Sequence, residues 1–126
     1  MNRWDRGREG ENRAERYLSE RGYTVLERRF RSRRGEIDLI AEKEDRIVFV
    51  EVKNWAYLDR GDLEYAIDRR KQEKILATSR QYLHAHPQFR HRHIGFDVIL
   101  VSPNTPEVIH YENAFTSSGA RGKSFG

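Results

Sequence analysis

The sequence predicts a single α/β domain, a mixed sheet with flanking helices. Three observations lead there. A helical stretch opens the chain, a second occupies its middle, and the other apolar residues fall into strand-length runs. The order along the chain is αβββαββ. Residues 1–116 read as the domain and the Ser-, Gly- and base-rich residues 117–126 as a disordered tail. A chain of 126 residues has room for one modest core.

In the first helix Ala14 and Leu18 lie one turn apart and Tyr17 widens the stripe. Arg21-Gly22 ends it, because glycine suits a helix C-cap. Tyr23 to Phe30 reads as a strand and Arg31 to Gly35 as a basic loop. Gly35–Ala41 (GEIDLIA) and Ile47–Lys53 (IVFVEVK) are β-rich runs around the charged turn Glu42–Asp45, which makes them an antiparallel hairpin. A loop over 54–62 follows. The next helical pattern spans Leu63 to Leu83, with Ile67, Ile75 and Tyr82 on its apolar side. His84 to His93 is a polar connection broken by Pro87. Ile94–Val101 (IGFDVILV) is nearly continuous in apolar residues, as a strand buried on both faces would be. Pro103 and Pro106 bound a turn, and Val108–Tyr111 reads as a short edge strand. Strand 47–53, helix 63–83 and strand 94–101 would form a right-handed βαβ unit.

Hydrophobic residues make up 37% of the chain and charged residues 35%, so a compact core must sit inside a heavily charged surface. Lys and Arg total 24 against 20 Asp and Glu, for a net charge of +4, and the pI is near 9.6. Arginine binds phosphate bidentately, so this balance favours a nucleic-acid partner as much as it favours simple solubility. There is no cysteine, which excludes disulfides, thiolate metal sites and a cysteine nucleophile. No apolar run approaches the roughly 20 residues that span a bilayer. Met1 to Gly10 is charged throughout and lacks a signal core, so a cytoplasmic, membrane-free protein is expected.

The chemistry concentrates on two strand-borne motifs, Gly35-Glu36-Ile37-Asp38 and Glu51-Val52-Lys53. Strand alternation puts Glu51 and Lys53 on one face and Val48, Val50 and Val52 on the other. Two charges inside so apolar a strand are costly unless they are paired or hold an ion. If the hairpin turn centres on Glu44-Asp45, Asp38 lies opposite Glu51, roughly 5 Å away on the same face. Carboxylates that close repel, and a hard divalent cation such as Mg²⁺ or Mn²⁺ removes the repulsion. An ion held by Asp38 and Glu51, with Lys53 beside it, suits phosphodiester hydrolysis. An isolated E-x-K on a strand is more often an exposed ion-pair cluster. The upstream GEID and the βαβ context reverse that balance.

Glu11 falls on the apolar stripe of the first helix, three residues before Ala14 and seven before Leu18. It either completes the metal site or caps the rim. Lys71 lies between Ile67 and Ile75 at helical spacing. It either snorkels to the rim or reaches a phosphate or the acid pair. Lys74 and Gln72 are its weaker companions. The run Arg28, Arg29, Arg31, Arg33, Arg34 leads into the Asp38 strand and would track a nucleic-acid backbone, or simply be solvated.

GEIDLIA, then FVEVK, then a helix carrying Lys71-Gln72, then FDVILV resembles the YraN-type family of small bacterial proteins. That family belongs to the PD-(D/E)xK, restriction-endonuclease-like superfamily and is similar to archaeal Holliday-junction resolvases. The resemblance runs from about Gly7 to Phe115, several motifs occurring in order. It implies a restriction-endonuclease-like mixed sheet and a Mg²⁺- or Mn²⁺-dependent endonuclease acting on DNA, with branched or single-stranded substrates in view. By position, Asp38, Glu51 and Glu11 look like metal-binding acids and Lys53 like the catalytic lysine, with Lys71 as a companion. From the basic run and the second helix, not from the resemblance, Arg31, Arg33, Arg34, Lys71 and Lys74 are the expected nucleic-acid contacts. Resolvases pair, which implies a homodimer. Asn54 and Gly95 depart from the family's usual residues. The competing reading is a nucleic-acid-binding module that keeps the fold without cutting, since a fold does not fix an activity.

Other signals weigh less. His84, His86, His91 and His93 surround Pro87, but no cysteine or well-placed acid completes a zinc site. Asp97 is either structural or a flank of the site. Trp55 and Tyr57 would stack on an unpaired base or close the core edge.

Overall fold

The computed structural model describes residues 3–54 and 67–116. Helix α1 (Arg3–Glu20) is followed by strands β1 (Thr24–Arg31), β2 (Glu36–Lys43) and β3 (Arg46–Asn54), helix α2 (Arg69–Ala85), a 3₁₀ turn at Pro87–Phe89, and strands β4 (His93–Ser102) and β5 (Thr105–Phe115). The five strands form one sheet in the order β1-β2-β3-β4-β5. β3 and β4 run parallel and the other neighbours antiparallel. This is the expected αβββαββ order, an α/β mixed sheet flanked by helices and consistent with the restriction-endonuclease-like fold. Among the described residues no helix is long and apolar enough to cross a membrane.

Among the described residues each face of the sheet carries one helix. Leu39, Ala41, Val48, Val50, Ile99 and Val101 pack with Ala14 and Leu18 of α1 and with Tyr23. Ile40, Ile47, Phe49, Phe96, Val98 and Leu100 pack with Ile75, Leu76 and Tyr82 of α2. Alternation along β3 and β4 divides these sets, and it places Glu51 and Lys53 on the α2 side. α1 stops where expected. Gly22 takes φ 90°, which side chains rarely adopt, and the Gly22 and Tyr23 amides donate to Ser19 and Leu18 carbonyls at 3.2 and 3.0 Å.

The elements differ from the sequence expectations mainly at their ends. α2 was expected from Leu63; residues 63–66 lie outside the described residues, and the observed helix begins after Asp68, whose extended backbone and side-chain bond to the Lys71 amide (2.9 Å) form its N-cap. Ile67 is buried but precedes the cap. Lys71 therefore faces inward through its i+4 relation to Ile75 alone. β5 extends well beyond the expected Val108–Tyr111, because pairing with β4 carries it to Phe115. The loop at 54–62 beyond Asn54, Trp55 and Tyr57 with it, and the expected tail at 117–126 lie outside the described residues.

Candidate active site

The β2–β3 hairpin turns at Glu44-Asp45, since Lys43 pairs with Arg46. That register runs outward to Leu39↔Val50, and there the main-chain pairing ends. One step further Asp38 reaches across, and its Oδ2 accepts the Val52 amide at 2.8 Å. A side chain thus replaces a ladder hydrogen bond where the two strands part. The parting opens a cleft of about 670 Å³ lined by Gly35, Glu36, Asp38, Glu51, Lys71 and Lys74, among others.

Glu51 is only 5% exposed. Lys71 Nζ stands 2.9 Å from Glu51 Oε2. Among the described residues that oxygen is nevertheless buried without an aligned hydrogen-bond donor, so the contact is an ion pair of poor direction. A half-made contact at a buried carboxylate is unusual and costly.

Asp38, Lys53 and Lys71 feel one another and the Glu51 carboxylate. Burial, then the Glu51 carboxylate that hydrogen-bonds and repels Asp38, pushes the Asp38 carboxyl up to about 8, against the Val52 amide and Lys71. Near neutral pH the Asp38 carboxyl therefore retains its proton. Burial also lowers Lys53, and the adjacent Lys71 ammonium lowers it further, outweighing Glu51 and Asp38. Burial works against the charge on Lys71 as well, but the Glu51 charge, together with the adjacent Lys53 and Asp38, holds it above the usual lysine value. Two acids and two lysines thus stand together on the α2 side of the sheet.

Glu11 does not join it. The Arg29 guanidinium, turned toward α1 by a left-handed φ of 48°, donates to Glu11 Oε1 at 2.7 Å. Burial raises the Glu11 pKa despite that bond, and Asp38's charge adds to the rise, so Glu11 stands near enough to feel the site. No group of three His, Cys, Asp or Glu side chains placed to hold a metal occurs among the described residues. The donor set is two carboxylates. Two acids suit Mg²⁺, which keeps several waters, better than a fully protein-ligated ion.

The basic residues border the cleft. Lys74 and Arg70 line it. Arg33 and Arg34 are exposed on the β1–β2 turn, and Arg31 is paired with Glu36 at 3.2 Å. That turn is fastened to α2: Ser32 Oγ lies 3.1 Å from Thr78 Oγ1 and also accepts the Arg34 amide at 3.0 Å. Gly35 allows this approach. A Cβ there would meet the Lys74 Cβ at 3.2 Å and Thr78 Oγ1 at 3.3 Å. No signal in the sequence gave this Ser32–Thr78 fastening.

Asp97 is settled as structural. It lies on the α1 side, 1% exposed, with Oδ2 bonded to His110 Nε2 at 2.8 Å and Oδ1 accepting the Asn113 amide at 3.0 Å. His110 Nδ1 completes the chain with the Tyr17 hydroxyl at 3.3 Å. The histidines around Pro87 gather no site: His86 stacks on Tyr82 and bonds its carbonyl, and His93 pairs with Asp45.

Residues 10–101 match the family model described as "Uncharacterised protein family UPF0102". A UPF0102 protein of Persephonella marina is 42% identical over 89% of this chain and 94% of its own length. One from Alcanivorax borkumensis is 34% identical over 88% and 91%, and one from Rhodopseudomonas palustris is 43% identical over 71% and 67%. The match spans the GEID and E-x-K motifs and both strands that frame the βαβ unit, and the chain belongs to the UPF0102 family.

Proposed function

We propose that this protein is a divalent-metal-dependent endonuclease acting on DNA, with Asp38 and Glu51 as the metal-holding acids. One observation carries the reading: two carboxylates on one sheet face, Asp38 and the buried Glu51, lie at the point where β2 and β3 part into a cleft bordered by basic residues. A pair this close is a poor way to stabilise a fold, because like charges raise its cost. It suits an ion such as Mg²⁺ or Mn²⁺. When bound, that ion supplies a nucleophilic water at neutral pH and neutralises charge building on the phosphate.

The remaining roles fall to this chain's own side chains. Asp38 is held in place at the cleft lining by the Val52 amide, which fixes its carboxyl group. Lys53 sits on the same face as Glu51 and stabilises the developing negative charge on the phosphoryl oxygens. Its burial keeps its ammonium poorly hydrated and thus effective at short range. Lys71, Lys74 and Arg70 at the cleft, with Arg33 and Arg34 on the fastened turn, hold the sugar–phosphate backbone. In the hydrolysis, water oxygen bonds phosphorus, the ester P–O bond breaks, and a proton passes to the departing sugar oxygen. Glu11 enters the donor set only by releasing Arg29. DNA as the substrate, with branched or single-stranded forms foremost, rests on the resemblance to resolvases.

The test incubates the protein with duplex, single-stranded and four-way-junction DNA, with Mn²⁺ or with chelator, beside Asp38→Ala and Lys53→Ala. Metal-dependent cleavage abolished in both variants is expected. Cleavage that persists in Asp38→Ala contradicts the assignment. Binding without cleavage in every condition favours the non-cutting module.

A further inference from the structure

The first turn of α2 carries Arg69, Arg70 and Lys71 and no acidic residue. The N-terminus of a helix is the end that disfavours cations. Three bases there need anions in front of them. Arg69 approaches Glu73 on its own helix. Lys71 points the other way, across the cleft, to Glu51 Oε2 at 2.9 Å. It reaches that oxygen from a long, two-fifths-exposed side chain, in a contact whose direction makes no aligned hydrogen bond.

Resting on the metal-dependent reading above, we propose that Lys71 is an internal counter-ion. It neutralises the Asp38–Glu51 pair until a divalent cation enters, gives way to that cation, and is then released toward a phosphate oxygen beside Arg70 and Lys74. The competition is electrostatic. At equal distance a dication gains about twice the Coulomb energy of an ammonium from each carboxylate, and both cations on Glu51 at once would repel each other. Lys53 is anchored on β3 and remains with the acids. Lys71, on the cleft wall, has somewhere to go. Because one event releases the cation that the other uses, metal binding and phosphate binding reinforce each other reciprocally.

Calorimetric titration with Mg²⁺ alone tests this without any cleavage readout. It compares the wild type with Lys71→Gln, Lys71→Met, Lys71→Arg and Asp38→Asn, each checked for folding by its urea midpoint. The solution is alkaline enough that Asp38 is deprotonated wherever it is present. The two neutral variants should bind Mg²⁺ roughly tenfold more tightly than the wild type, the loss of a competitor worth one modest ion pair. Lys71→Arg, which keeps the charge, should stay near the wild-type affinity. Neutral variants that bind equally or more weakly, while the wild type binds and Asp38→Asn does not, overturn the counter-ion role and leave the metal centre standing. Absence of binding in every protein overturns the metal centre and the counter-ion together.

Discussion

The sheet carries a buried acid on each face, and the two are solved in opposite ways. On the α1 side Asp97 is closed. His110 and the Asn113 amide take its two oxygens at 2.8 and 3.0 Å, Tyr17 finishes the chain, and Asn113 adopts a left-handed φ of 52° at the β5 irregularity to supply its amide. On the α2 side Glu51 is open. Among the described residues one of its oxygens lacks an aligned donor, Asp38 stands beside it with its pKa raised by burial and by Glu51 itself, and both border a cleft. Burial demands that polar groups be satisfied. A network that meets the demand is architecture. One that leaves it unmet beside a cleft is available for a ligand.

Breaking each cluster should separate these roles. The largest stability effect is expected from Asp97→Ala. It strands His110 and the Asn113 amide in the interior, so a urea melt should show a loss of about 3 kcal/mol. DNA cleavage per folded molecule should be unchanged. Asp38→Asn should do the reverse. It removes the repulsion with Glu51 and keeps the shape, so the melting midpoint should hold or rise, while the cleavage rate falls of order a hundredfold or more.

The acid pair also predicts a pH dependence. Asp38 is raised from 3.8 to about 8 in the folded protein, so the folded state binds the extra proton between those values. Stability from this group is full below the unfolded value and is lost as pH rises through the folded one. The melting temperature of the metal-free protein should therefore decline as pH rises from about 4 toward about 8. Asp38→Asn should remove that slope. A slope of the opposite sign, or one unaffected by the substitution, would contradict the raised Asp38 carboxyl.

Two smaller effects concern the turn fastened to α2. Gly35→Ala crowds the Lys74 Cβ and Thr78 Oγ1, and should cost about 1 kcal/mol in a denaturant melt. The double substitution Arg33→Ala/Arg34→Ala should leave the melt within about 0.5 kcal/mol. In a binding titration it should lower DNA affinity for all sequences alike and reduce the salt slope by about 2.

Much of this contrast was legible in the sequence and some was not. The hairpin register followed from a two-residue turn at Glu44-Asp45, and with it the shared face of Asp38 and Glu51. Lys71's inward position followed from spacing, although Ile67, one of the two residues used to infer it, lies before the helix. Glu11's engagement by Arg29 was hidden, because it depends on a left-handed φ at one arginine inside a strand. The Asp97–His110 pair was hidden too. The histidine that mattered stands alone on β5, thirteen residues from its partner, in a strand that reads from the sequence as a short edge. Pairing between strands, and side chains that cross between layers, leave little periodicity to read.

The central claim is that the open cluster is the functional one and the closed cluster is not. Titrating Mn²⁺ by electron paramagnetic resonance into the wild type, Asp38→Asn and Asp97→Asn tests it most directly. The account predicts a binding site in the wild type that disappears in Asp38→Asn and survives in folded Asp97→Asn. Binding that survives in Asp38→Asn, or is lost only in Asp97→Asn, would contradict it.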